Sequence, residues 1–171
     1  MADITLRHEL ECTEDIFWNK VFFDEEDEFN KYLYNTLLKF PKYEVLELRK
    51  EEGRVVRRAR VEPPVGGVPL PIKKILGDRL AYNEEGVFDA KTKRYTIKVT
   101  PSALPDKTRI SGEIYCEKLG EKRIARIAKF TVEVKVFGVG GLVEGRIISD
   151  LKKSYDTAAQ ATNVWLKEKG L

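Results

Sequence analysis

Three side chains in this sequence sit among residues of a different chemical kind. His8 alternates with Ile4, Leu6 and Leu10, so it shares the apolar face of a strand. An imidazole there either completes the core through hydrogen bonds or faces a ligand, as a donor to a hydroxyl or as an acid–base group. Arg57 alternates with Val55, Ala59 and Val61, while Val56, Arg58 and Arg60 point the other way. Arg126 repeats the pattern among Ile124, Ala128, Phe130, Val132, Val134 and Val136. A guanidinium in apolar surroundings is costly unless an anion meets it. Glu84 and Glu113 are the candidate carboxylates within the chain. The other partner is a ligand phosphate or carboxylate, gripped by the arginine's fork of donors. A register slip of one residue reverses both assignments.

Catalytic and metal-binding patterns are absent. The chain has one histidine and no Cys-x-x-Cys, His-Glu-x-x-His or Gly-x-Ser-x-Gly, so no catalytic residue, metal or cofactor is assigned. Gly138-Val139-Gly140-Gly141 lacks a following Lys-Ser/Thr, and Val143 takes the third glycine place of a dinucleotide fingerprint. The segment reads as a tight strand-to-helix corner, where glycine permits the turn. Net charge is +3, unevenly spread: residues 1–52 carry 14 acids against 7 Lys/Arg, residues 53–171 carry 24 Lys/Arg against 14 acids. Either the two sets are solvated faces that attract one another, or the basic surface approaches anionic lipid or another polyanion. The basic residues are scattered over many strands and no recognition helix or RNP-like aromatic motif is present, so nucleic acid is not an expected partner.

The elements that must position these residues follow from the hydrophobic period. After the first strand, Thr13 is placed to cap a helix from Glu14, with Ile16, Phe17, Val21 and Phe22 on its apolar side. The acidic run Asp24–Glu28 marks a break, and a second helix passes through Phe29, Leu33, Leu37 and Leu38 before Pro41. Strands follow at 43–50 and 54–62, forming a hairpin around Glu51-Glu52-Gly53, then near 79–89, 94–100, 109–118 and 122–137. Between them, 63–76 is rich in proline and glycine, and Ile72–Leu76 forms one helical turn. This loop exposes Val65, Val68, Leu70, Ile72, Ile75 and Leu76 beside Lys73 and Lys74. It suits a flap touching an anionic membrane, or a static cover on the sheet edge. From Gly141 to Lys169 the pattern is one long helix. Ile148, Leu151, Tyr155, Ala158, Ala159, Thr162, Trp165 and Leu166 form its covering face. Ala158, Ala159 and Thr162 are small residues between bulky Tyr155 and Trp165, and they leave room beneath the helix.

With 171 residues, 42% apolar and 35% charged, the chain fits one domain spanning 1–171. No apolar stretch approaches the ~20 residues that span a bilayer. The N-terminus lacks a secretory pattern, and Cys12 and Cys116 read as reduced thiols, so a cytoplasmic location is expected. The order strand, two helices, about six strands, long helix resembles the START-like (helix-grip, SRPBCC/Bet v 1-like) superfamily. Thr13 through Asp24 is similar to its opening pattern. The stretch from Pro69 through Gly77 into Tyr82, Glu84 and Asp89 is similar to PRELI-like and VASt-like lipid-transfer domains, and an uncharacterised bacterial branch matches better in length and spacing.

The resemblance implies an α+β fold, with a curved antiparallel sheet wrapped around the C-terminal helix and a hydrophobic cavity between them. It implies a hydrophobic or amphipathic, lipid-like small molecule as partner, for binding or for transfer. Arg57, Arg126 and His8 are the expected polar anchors, and Tyr155, Ala158, Ala159 and Thr162 the lining. A cyclase- or hydrolase-like enzyme using the same pocket, or a cavity-free partner-binding module filled by Phe88, Tyr95, Phe130 and Trp165, are the alternatives.

Overall fold

In the computed structural model, which describes residues 1–77 and 80–171, strand β1 (Ala2–Leu10) buries Leu6 and Leu10 and half-buries Ile4 and His8. Helix α1 (Glu14–Ile16) begins where expected: the Thr13 hydroxyl accepts from the Ile16 amide at 3.2 Å. It continues into a wider π-helical segment, Phe17–Phe22. Helix α2 (Glu28–Lys31) likewise runs into a π-helical segment, Tyr32–Leu37. The break between them is sharp because Asp27 is left-handed (φ 55°), a conformation that aspartate tolerates better than most residues.

The β-hairpin of β2 (Lys42–Glu51) and β3 (Arg54–Glu62) turns at Gly53, whose φ of 80° suits glycine. Helix α3 (Leu70–Leu76) carries Pro71 in its first turn, where a missing N–H costs nothing. Then come β4 (Tyr82–Asp89), β5 (Arg94–Pro101), β6 (Thr108–Gly120) and β7 (Arg123–Val134). The strand expected from residue 79 starts at Tyr82, and residues 78 and 79 lie outside the described residues. Helix α4 (Gly140–Lys169) closes the chain and ends at left-handed Gly170.

All seven strands form one antiparallel sheet in the order β1-β7-β6-β5-β4-β3-β2. Two interior glycines serve its concave face. A Cβ on Gly86 would lie 2.0 Å from the Tyr95 ring, and one on Gly112 would lie 2.5 Å from the Phe130 ring. Both rings therefore lie flat across a neighbouring strand.

At one end Trp18 packs among Phe17, Phe22, Phe23, Phe88 and Tyr95. Elsewhere Phe29 meets Trp165, and Phe130 meets Tyr155. The backbone of α4 lies close against β1 and β7 and stands off from the strands beyond. A curved sheet touched by its helix along one side leaves a gap along the other. No helix of the described residues is long and apolar enough to cross a membrane.

Candidate functional site

The gap is a cavity of about 240 Å³ between α4 and the sheet, with contributions from α2 and from the π-helical segments Phe17–Phe22 and Tyr32–Leu37. Its wall is mostly apolar, including Phe17, Leu33, Ile97, Ile114, Phe130 and Leu151. The aromatic residues Phe88, Tyr95, Phe130 and Trp165, which a cavity-free interior would require, do not fill it. Phe88 and Tyr95 belong to the Trp18 cluster, Trp165 packs on Phe29, and Phe130 stands in the wall.

Both arginines reach the wall, as their alternation predicts, and each is about one-twentieth exposed. Their surroundings differ. Arg57 belongs to a closed polar network: one Nη donates to the Tyr43 hydroxyl at 2.7 Å and the other to Glu84 at 3.4 Å. The Tyr43 hydroxyl donates onward to Asp27 at 2.6 Å, and Asn30 donates to the same carboxylate at 2.8 Å. Burial opposes the Arg57 charge, yet Tyr43 and Glu84 outweigh it and raise its pKa. Burial raises that of Glu84, an effect Arg57 partly offsets. Glu84 is thus one of the carboxylates expected. Glu113, the other candidate, meets neither arginine: it is paired with Arg94 at 2.9 Å.

Arg126 has no such partner. Its Nη2 donates to His8 Nδ1 at 3.1 Å and to the Tyr155 carbonyl at 3.2 Å, and its guanidinium lies 4.8 Å over the Tyr155 ring. Its Nε is buried without any hydrogen-bond partner. Burial lowers its pKa despite Tyr155 nearby.

His8 does not belong to the wall, contrary to its expected role as an anchor. An arginine can only donate, so His8 Nδ1 must accept, and the imidazole is neutral with its proton on Nε2. That N–H faces Asp156 Oδ1 at 2.7 Å. His8 is held between Arg126 and a carboxylate half-exposed on α4, which also pairs with Lys152 at 3.1 Å. The pair His8–Asp156 therefore meets outside the cavity, with Arg126 between it and the interior.

On α4, Tyr155, Ala158 and Thr162 line the cavity as expected. The Thr162 hydroxyl donates to the Ala158 carbonyl at 2.6 Å, so that side chain offers the cavity only its apolar part. Ala159 does not line it: one residue round the helix from Ala158, it is buried in the packed core. Burial also raises the pKa of the phenols of Tyr34, Tyr82 and Tyr155 in the wall, which remain neutral.

The 63–77 segment is a packed cover. Pro63 and Leu76 belong to the wall, and Ile72 is buried, against the expectation that it is exposed. Leu70 and Val65 do remain exposed. Arg146 fastens the cover: its Nη1 donates to the Gly67 carbonyl at 2.9 Å while its Nε pairs with Asp150. Sequence reasoning missed Tyr43, Asp27 and Arg146. Asp27 was hidden in an acidic run that reads as solvated, and Arg146 on a helix face that carries other charges.

The sheet, grip helix and cavity define a START-like helix-grip fold. The chain is similar to an aromatase/cyclase, Zhui, from Streptomyces sp. R1128 (TM-score 0.68, 13% identity, covering 99% of this chain and 96% of that one). It is also similar to a START superfamily protein from Mycobacterium smegmatis (0.61, 14%, 96% and 98%) and norcoclaurine synthase from Thalictrum flavum (0.62, 14%, 98% and 87%). The chain belongs to the family described as Protein of unknown function (DUF2505), whose model matches residues 24–166. No curated protein matches it.

Proposed function

We propose that this protein binds one compact amphipathic molecule in the cavity beneath α4. The observation that carries this is a hollow of about 240 Å³ kept open by small side chains and walled mainly by apolar ones. Its size refines the lipid-like cargo expected from the sequence. An apolar cavity of about 150 Å³ accommodates benzene, so this one suits a ring with a short tail or a medium-length chain. Burial of each CH₂ contributes about 0.8 kcal/mol, enough to hold such a ligand with few polar contacts. The structural neighbours named as a cyclase and a synthase support a small-molecule occupant. His8 and Asp156 do not present an acid–base pair to that occupant, which favours binding over an enzymatic use of this pair. Passage in and out requires motion of the 63–76 cover or of the adjoining end of α4, and exposed Leu70 and Val65, with Lys74 on the same segment, favour transfer at an anionic membrane. The unbridged thiols of Cys12 and Cys116 support a cytoplasmic setting.

Native mass spectrometry of freshly purified protein, with solvent extraction of what co-purifies, tests the reading against Ala158→Trp. The wild type should carry a small organic adduct. The variant should lose it while keeping its circular dichroism and its melting transition. Equal adducts in both proteins would move the ligand out of this cavity.

A further inference from the structure

Among the described residues, the charges in the cavity wall do not balance. Resting on the binding reading above, we infer that the occupant is a monoanion whose carboxylate meets Arg126.

Among the described residues, five ionisable charges border the cavity: Arg57, Glu84, Arg126, Arg146 and Asp150. Glu84 answers Arg57 at 3.4 Å, and Asp150 answers Arg146 at 3.0 Å. Arg126 is left with no carboxylate in contact among the described residues. Asp156 reaches it only through the neutral ring of His8 and is shared with Lys152. A guanidinium about 95% buried, with its Nε unsatisfied, is costly in an empty apolar chamber. A carboxylate in the chamber beside it would supply the missing charge.

The two arginines therefore differ in kind. Arg57 is neutralised by the protein and connects β2, β3 and β4 to the head of α2. Arg126 stands in the wall, oriented by His8 and the Tyr155 carbonyl, without a carboxylate among the described residues. One unanswered positive charge fits one negative charge, and the apolar remainder of the wall fits a ring or chain behind it. A neutral sterol-like ligand would leave Arg126 unanswered. A dianionic head group would bring a charge with no partner.

Isothermal titration with 3-phenylpropanoate and with its neutral counterpart, 3-phenylpropan-1-ol, tests this directly, since the two share size and apolar body. In the wild type the carboxylate should bind about ten- to a hundredfold more tightly, the range expected for a hydrogen bond to a charged group. In Arg126→Met the advantage should vanish while the alcohol still binds. Equal binding of both probes by the wild type would overturn the inference but leave the cavity reading intact, and so would an advantage that survives in Arg126→Met. If neither probe binds the wild type, the cavity reading and this inference fall together. The wild-type comparison decides the matter even if the variant does not fold.

Discussion

Asp156 shows how a half-exposed side chain can organise a buried one. By accepting a hydrogen bond from His8 Nε2–H it holds the imidazole so that Nδ1 can accept one from Arg126. The His8 hydrogen bond, helped by Lys152, lowers the pKa of Asp156 below its ordinary value of 3.8. A carboxylate depressed on folding contributes stability above the unfolded value and loses it as pH falls through the folded one. Asp156→Asn should therefore cost about 0.2–1 kcal/mol at neutral pH, an exposed pair's usual range, and the two proteins should converge below pH ~3. Urea unfolding at both pH values measures it, and a gap that widens in acid would refute the assignment. Arg57 and Arg126 were legible as inward-facing because alternation in a strand is a local property. Which of them had an internal partner was not legible. That depends on Tyr43, Asp27 and Glu84 meeting across strands and a helix distant in sequence.

The elements were readable where one period persists. Seven strands, the cap at Thr13 and the final helix all follow from runs of alternating or helical spacing. The π-helical segments Phe17–Phe22 and Tyr32–Leu37 were not, because the same apolar residues satisfy an α-helix or a wider one. At the first segment the rings of Trp18, Phe22, Phe23 and Tyr95 pack together in the wider form. The inner glycines also escaped notice, since an absent side chain has significance only beside what fills its place. Gly86→Ala would drive a methyl group into the Tyr95 ring, which is fully buried and cannot retreat. We expect a loss of about 1–3 kcal/mol in chemical denaturation, the usual cost of overpacking. Much of it should return in Gly86→Ala/Tyr95→Leu, where the ring tip is gone. An unaltered midpoint for the single variant would show that this strand crossing is looser than described.

At the scale of the whole molecule, the opposed charges of the N-terminal segment and the remainder meet face to face. Glu28 pairs with Lys169 at 2.6 Å, Glu47 with Arg58 at 3.6 Å, and Glu9 with Arg123. That favours mutual attraction over an open basic surface for these residues. Raising salt from ~20 mM to ~500 mM shortens the Debye length from roughly 20 Å to below 5 Å and should lower the thermal midpoint slightly. A rise would place the net balance among like charges instead.

The fastening of the cover is a second property of the assembled molecule, since it joins Arg146 of α4 to Gly67. Arg146→Ala removes a hydrogen bond contributing about 1 kcal/mol, so 3-phenylpropanoate should exchange about fivefold faster in stopped-flow measurements. Unchanged rates would place the entrance elsewhere. Arg146 belongs to the chamber as well as to its latch. A guest long enough to push that guanidinium aside would loosen the bolt that confines it, so length becomes dwell time: snug occupants stay, and oversized ones let themselves out.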